Sequence, residues 1–302
     1  MIRAVLDEGA LLRAVVELEE LATSSRTEDE QRLILELAPL FTDVARRVPQ
    51  SPLLARLVRL RERLVARETA RYAEERRAIR DGRLRGADLL GWLMEPPSEL
   101  RDYVVEGLLG VAHGPLLEAA PGLPRGSIGH HASSFGQVAL ALAGVPVVAE
   151  DVFVDLGAGS GKVALLAHLL TGARACGVEL QPPLVSQARD AAAALGCDSV
   201  RFELADARDA EIGDGTVFFM YLPFTGPVLE AVMRRLRAIA ERREIVVCAL
   251  ALELAASDWL APRPPGSFWL SVYRSTIPGA SPRAADRRSP LERFLGDLQV
   301  KG

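Results

Sequence analysis

The stretch Val152-Phe153-Val154-Asp155-Leu156-Gly157-Ala158-Gly159-Ser160-Gly161-Lys162-Val163 decides how this chain folds. Its first five residues are apolar apart from one aspartate, the pattern of a strand buried in a parallel sheet. The alternating glycines that follow predict a tight turn, where the backbone angles and the close approach of another group leave no room for a Cβ. Lys162 and Val163 then open a helical period. A strand, a glycine-rich turn and a helix, in that order, form a ligand-binding corner of an α/β fold.

Further short apolar runs follow this corner: ACGVEL, SVRFEL, TVFFMYL and EIVVCAL, with helix-like segments between them. This alternation predicts a β/α chain around a parallel sheet. SFWLSVYRS reads as one more strand, and ASDWLAPRPPGS before it as a loop, with Trp259 core or bordering the pocket. On the N-terminal side the period changes. Up to about residue 120 the apolar residues recur every three or four positions, as in Leu53, Leu54, Leu57, Val58, Leu60, Leu64 and Val65, so this half is expected to be helical. Arginines and glutamates interleave from Arg56 to Arg85, which reads as a solvated face laced by i,i+4 ion pairs, or else as a docking face for an acidic partner. Pro96, Pro97, Pro115, Pro121 and Pro124 punctuate the joint between the halves. The expected fold class is therefore α/β, a Rossmann-like sheet with helices on both faces, preceded by an all-helical N-terminal domain. The expected boundaries are 1–125 for the helical domain, 126–278 for the sheet domain and 279–302 for a polar tail.

Composition excludes several function classes. With 302 residues and 49% hydrophobic content the chain can bury a large core, and a net charge of −4 provides no global basic field for nucleic acid. Three scattered cysteines make neither a disulfide framework nor a metal site, so no metal is expected and a cytoplasmic location is. No window approaches the length of an uncharged membrane span, and the N-terminus lacks the apolar core of a signal peptide. Of the 36 basic residues only Lys162 and Lys301 are lysine, a bias that reads as genome composition. Oligomeric state is not legible.

The chemistry of the glycine corner can be narrowed. Its spacing is G-x-G-x-G, with Lys162 where a dinucleotide fingerprint would place its last glycine. A P-loop is excluded, because Leu156 and Val163 occupy the positions of its first glycine and its Ser/Thr. Glu179 ends the next strand, where a carboxylate can accept hydrogen bonds from both hydroxyls of a ribose. Asp206 follows the third strand, where a carboxylate can take the amino group of an adenine.

Together these segments resemble class I S-adenosylmethionine-dependent methyltransferases, in which V-D-L-G-x-G-x-G, a G-V-E strand end and an acid after the third strand form the cofactor site. By that resemblance Asp155, Gly157, Ala158, Gly159 and Gly161 surround the methionine portion, Glu179 and Leu180 lie at the ribose, and Asp206 with Ala207 at the adenine. A narrower likeness exists to the seven-strand protein-lysine methyltransferases, the branch that includes the enzymes acting on the ATP-synthase c subunit and, more distantly, those that disrupt telomeric silencing. Ala132-Ser133-Ser134-Phe135-Gly136-Gln137-Val138 is similar to their P-[ST]-x-x-x-[QE]-V element, adding Ser133 and Gln137 to the cofactor contacts, although His130 and Ala132 stand where the family has tyrosine and proline. Thr216 to Pro223 resembles their fourth strand, which ends in Y-L-x-P; the Asn/Asp-Pro-Pro-Tyr/Phe motif is missing. The resemblance implies S-adenosyl-L-methionine as cofactor, Tyr221 and His131 as catalytic candidates, and N-methylation of a protein lysine. The alternative acceptor is a small molecule or natural product, and a third reading is a non-catalytic cofactor-binding module.

Overall fold

The structure, a computed structural model, describes residues 52–111 except 99, residues 133–283 except 146, 222, 223, 253, 255, 256, 268 and 269, and six positions between 12 and 20. His130, His131 and Ala132, the proline-rich joint from 112 to 132 and the tail beyond 283 lie outside the described residues.

Each apolar run of the C-terminal half forms a strand: β1 Val152–Leu156, β2 Arg174–Glu179, β3 Val200–Leu204, β4 Val217–Tyr221 and β5 Val246–Leu250. These five are parallel. Two antiparallel strands, β6 Leu260–Ser267 and β7 Leu270–Ser275, complete a seven-stranded sheet in the order β3-β2-β1-β4-β5-β7-β6. The Rossmann-like sheet expected from the sequence is thus present. β6 is a departure, because its segment LAPRPPGS reads as a loop. Proline lacks the N–H a central strand needs, and β6 tolerates three prolines because it is an edge strand whose register is broken between Arg263 and Ser267.

The helices in chain order are α1 Pro52–Arg71, α2 Ala73–Arg80, α3 Gly86–Met94, α4 Arg101–Leu109, α5 Phe135–Gly144, α6 Lys162–Thr171, α7 Pro182–Leu195 and α8 Gly226–Ala240. Strand alternation divides their packing. Phe153, Ala175, Phe202, Phe219, Cys248 and Val272 face one core with α2 to α7, while Val154, Leu156, Val178, Phe218, Met220 and Val247 face a second core with α8. Turns, with no helix, join β3 to β4.

The first core does not stop at the expected domain boundary. Tyr72, Ile79, Leu89, Leu90, Leu93, Val105 and Leu108 belong to the same apolar cluster as Phe153 and Phe219. A boundary near 125 therefore separates no cores: the helical period identified these elements without specifying that their apolar stripe covers the sheet face. Nor do the arginines only face water. Arg76 is buried and donates to the carbonyls of Leu108 (2.8 Å) and Gly107 (2.6 Å) at the end of α4; Arg80 donates to Ala194 O at the end of α7 (2.6 Å). The guanidinium fork satisfies carbonyls that a helix terminus leaves without partners, which a lysine does less well.

The expected tail is also anchored at its start. Arg283 forms a bidentate pair with Asp151, Nε to Oδ1 at 2.7 Å and Nη2 to Oδ2 at 2.6 Å, with side-chain exposures of 2% and 1%. Among the described residues no helix is long and apolar enough to cross a membrane.

Candidate functional site

The strand order reverses between β1 and β4, and in open α/β sheets ligands bind beyond the carboxyl ends of the strands at such a switch point. The ends of β1, β2, β3 and β4 bring the glycine turn, Glu179, Asp206 and Tyr221 to this edge. Alternation also fixes the face. Asp155 is paired with Gly177 and Phe219, so it shares the face of Phe153 and Phe219, on which α4 and α5 lie; Glu179 and Tyr221 follow with the same parity.

Gly157, Gly159 and Gly161 all have positive φ, at 89°, 55° and 87°. The amides of Gly157 and Ala158 both donate to Val178 O at 2.9 Å, which folds the turn back over the end of β2. The reason for glycine at position 161 lies in packing. A Cβ there would fall 2.6 Å from the Phe202 ring and 2.8 Å from Ala188, in the close helix-to-sheet approach reserved for the last glycine of such turns. A Cβ at Gly177 would likewise fall 2.5 Å from the same ring.

Glu179 is buried, and its carboxylate holds the turn together. Oε2 accepts from Gly159 N at 2.9 Å, and Oε1 accepts from Leu180 N at 2.8 Å and Gln181 N at 2.9 Å. Oε1 is thereby filled, and Oε2 keeps one acceptor position. Asp206 is engaged by Arg208, with Nε at 3.0 Å from Oδ1 and Nη2 at 2.8 Å from Oδ2; this contact holds the Asp206 carboxyl below its ordinary range. Arg208 carries no sequence signature, because only the folded turn brings it back onto Asp206.

Among the described residues Asp155 has no such partners. Its Oδ2 is buried and without a hydrogen bond, and burial, reinforced by the Glu179 charge, pushes its carboxyl up to about 8. A buried carboxyl with an orphaned oxygen is costly by itself. A cationic group entering the glycine turn would relieve it, and the ammonium of a bound methionine moiety is such a group. The residues present therefore fit S-adenosylmethionine.

On the helical side, Ser134 caps α5 in a capping box: its Oγ accepts from Gln137 N at 3.2 Å, and Gln137 Oε1 accepts from Ser134 N at 2.8 Å. Ser133 is buried just before it. Tyr221 is half-buried at the end of β4, paired with Leu250, and Ala251 just beyond takes the left-handed conformation at φ 52°. Such backbone strain in a non-glycine residue concentrates at functional edges.

Other candidates resolve as structure. His168 Nδ1 lies 2.8 Å from Ala173 O and its Nε2 lies 3.1 Å from Arg85 Nη1, so Nδ1 donates to the carbonyl and Nε2 accepts from the guanidinium; burial lowers its pKa. Trp259 is buried at the head of β6, in the core behind α8. Burial pushes Cys176 and Cys197 up to about 11 and Cys248 to about 12, which leaves them inert thiols. Among the described residues no cluster of histidine, cysteine, aspartate or glutamate can hold a metal.

Residues 153–255 are similar to a protein family described as a methyltransferase domain. Solved structures similar to the chain include an RNA methyltransferase from Salinibacter ruber in complex with S-adenosyl-L-homocysteine, at 29% identity over 52% of this chain and 100% of that one, with a TM-score of 0.39. A putative methyltransferase of Escherichia coli matches at 24% identity over 45% of this chain and 80% of that one, TM-score 0.36. Geranyl diphosphate C-methyltransferase from Streptomyces coelicolor matches at 21% identity over 36% of this chain and 43% of that one, TM-score 0.31. No curated protein matches the chain.

Proposed function

We propose that the acceptor of this S-adenosylmethionine-dependent methyltransferase is the side-chain amine of a protein lysine. The observation that carries the reading is Tyr221, half-buried at the end of β4 on the sheet face it shares with Asp155 and Glu179. A single hydroxyl at that edge suits a flexible aliphatic amine better than a planar one, for which the Asn/Asp-Pro-Pro-Tyr/Phe motif would be expected. The helices before the sheet supply the proposed docking surface for the protein acceptor.

The cofactor supplies a methyl group already activated on a sulfonium, so this chain's residues bind, orient and exclude water. Asp155 holds the methionine ammonium, with Gly157, Ala158, Gly159 and Gly161 lining the turn. Glu179, fixed by three backbone amides, accepts from the ribose through Oε2, with Leu180 alongside. Asp206 and Ala207 take the adenine, and Ser133 and Gln137 close the site from α5. A lysine ammonium must lose a proton before it can attack. Tyr221 Oη accepts a hydrogen bond from the amine and aligns its lone pair, the proton leaving to solvent; His131 is the second candidate for this step.

The test uses the full chain, cell extract and S-adenosylmethionine labelled in its methyl group. Label is expected in protein, on lysine side chains located by mass spectrometry. Label confined to the small-molecule or RNA fraction would overturn the acceptor class. With only two lysines the enzyme adds almost no acceptor of its own. Tyr221→Phe should lower transfer by roughly a hundredfold with cofactor affinity unchanged, and calorimetric titration should show binding of S-adenosylmethionine and none of NAD.

A further inference from the structure

Lys162 is the one lysine among the described residues, and it sits at an unfavourable place. It is the first residue of α6, where the helix dipole repels a cation, and its side chain is only 6% exposed. A buried ammonium is tolerated when carboxylates surround it. Both of its carboxylates come from α4: Glu106 Oε1 at 2.7 Å and Asp102 Oδ1 at 3.3 Å. The same Asp102 oxygen accepts from Phe135 N at 2.6 Å, the first amide of α5. One carboxylate thus ties together the end of the glycine turn, the middle layer of helices and the start of the 133–137 element.

We infer that Lys162, with Asp102 and Glu106, is a positioning clamp for the cofactor, setting the distance between the glycine turn and the α5 N-terminus that faces it. The inference rests on the cofactor reading above. It assigns a functional role to α4, and to Lys162 in a chain whose one other lysine is Lys301. The ammonium is a compact point charge that sits between two carboxylates behind a tight turn.

The experiment measures S-adenosylhomocysteine affinity by calorimetry, and the melting temperature without ligand, for the full chain and three variants. Lys162→Met should weaken binding by roughly tenfold to a hundredfold in protein that still melts cooperatively, since a displacement of about 1 Å in a site is that costly. Glu106→Gln, which keeps shape and leaves Asp102 in place, should weaken binding by a smaller factor; it decides the matter if Lys162→Met does not fold. Lys162→Arg should restore most of the affinity lost in Lys162→Met, because it returns the charge. Wild-type affinity in folded Lys162→Met, or in folded Glu106→Gln should the first fail to fold, overturns the clamp; so does an arginine variant as weak as the methionine one. If the unaltered chain does not bind S-adenosylhomocysteine, the cofactor reading fails instead, and the two failures are distinct.

Discussion

Replacing Arg283 by methionine tests whether the segment after β7 is part of the folded body. The Asp151 carboxylate receives four donors: Val148 N at 2.9 Å, Thr216 Oγ1 at 2.8 Å, and Arg283 Nε and Nη2 at 2.7 and 2.6 Å. Arg283→Met removes two of these and leaves a carboxylate only 1% exposed without the guanidinium. Two hydrogen bonds to a charged group, at about 1.5–3 kcal/mol each, bracket the about 3–5 kcal/mol typical of a buried pair deprived of one member. Urea unfolding of the ligand-free protein should therefore shift by about 3–5 kcal/mol with an unchanged m-value. A chain ending at Pro282 should lose a similar amount. The double variant Arg283→Met with Asp151→Asn should recover part of the loss, since no buried charge then remains. A loss below about 1 kcal/mol for Arg283→Met would refute the reasoning, because it would put the pair in solvent.

Asp155→Asn should remove a pH dependence. The folded carboxyl titrates near 8 against an ordinary 3.8, so the folded state binds more protons, and ligand-free stability falls as pH rises between those values, at most by about 1.4 kcal/mol per pH unit; thermal melts across that range should flatten in the variant. Gly177→Ala places a Cβ 2.5 Å from Phe202 and 2.7 Å from Ala158, and should destabilise by about 1–3 kcal/mol, partly relieved by adding Phe202→Leu. Deleting residues 1–120 strips Leu89, Leu90, Leu93, Val105 and Leu108 from the first core and both carboxylates from Lys162. That fragment should show no cooperative thermal transition, and a folded fragment that binds S-adenosylhomocysteine would restore the boundary near 125.

The strands β1 and β2 were legible because they are largely apolar runs ended by a glycine and by an acid, a pattern set by local sequence and burial on both faces. β6 was not, since proline content reflects the missing N–H and not whether a neighbour is present on the other side. The helices from 72 to 109 were legible as helices, but a 3.6-residue period records only that a helix has an apolar stripe. What covers that stripe is a long-range fact. The same holds within the site: Asp155, Glu179 and Asp206 were identifiable from their places at strand ends. The Gly159 amide that holds Glu179 and the α4 carboxylates that hold Lys162 are brought in by folding from 20 and from 56 to 60 residues away, with no fixed spacing to search for.

The prolines of β6 bear on self-association. An open sheet exposes two rims of backbone donors and acceptors, each a template for a strand from another chain. On one rim, Pro262, Pro264 and Pro265 remove three of the eight amides that β6 would otherwise carry, so an incoming strand meets an interrupted ladder. On the other, the segment after β3 folds back along it, with Arg201 Nη2 donating to Glu211 O at 2.8 Å and Glu203 Oε1 accepting from Glu211 N at 3.1 Å. Both rims are blunted by different means, proline on one side and a charged return on the other, which guards a sheet rich in valine and phenylalanine against edge-to-edge aggregation.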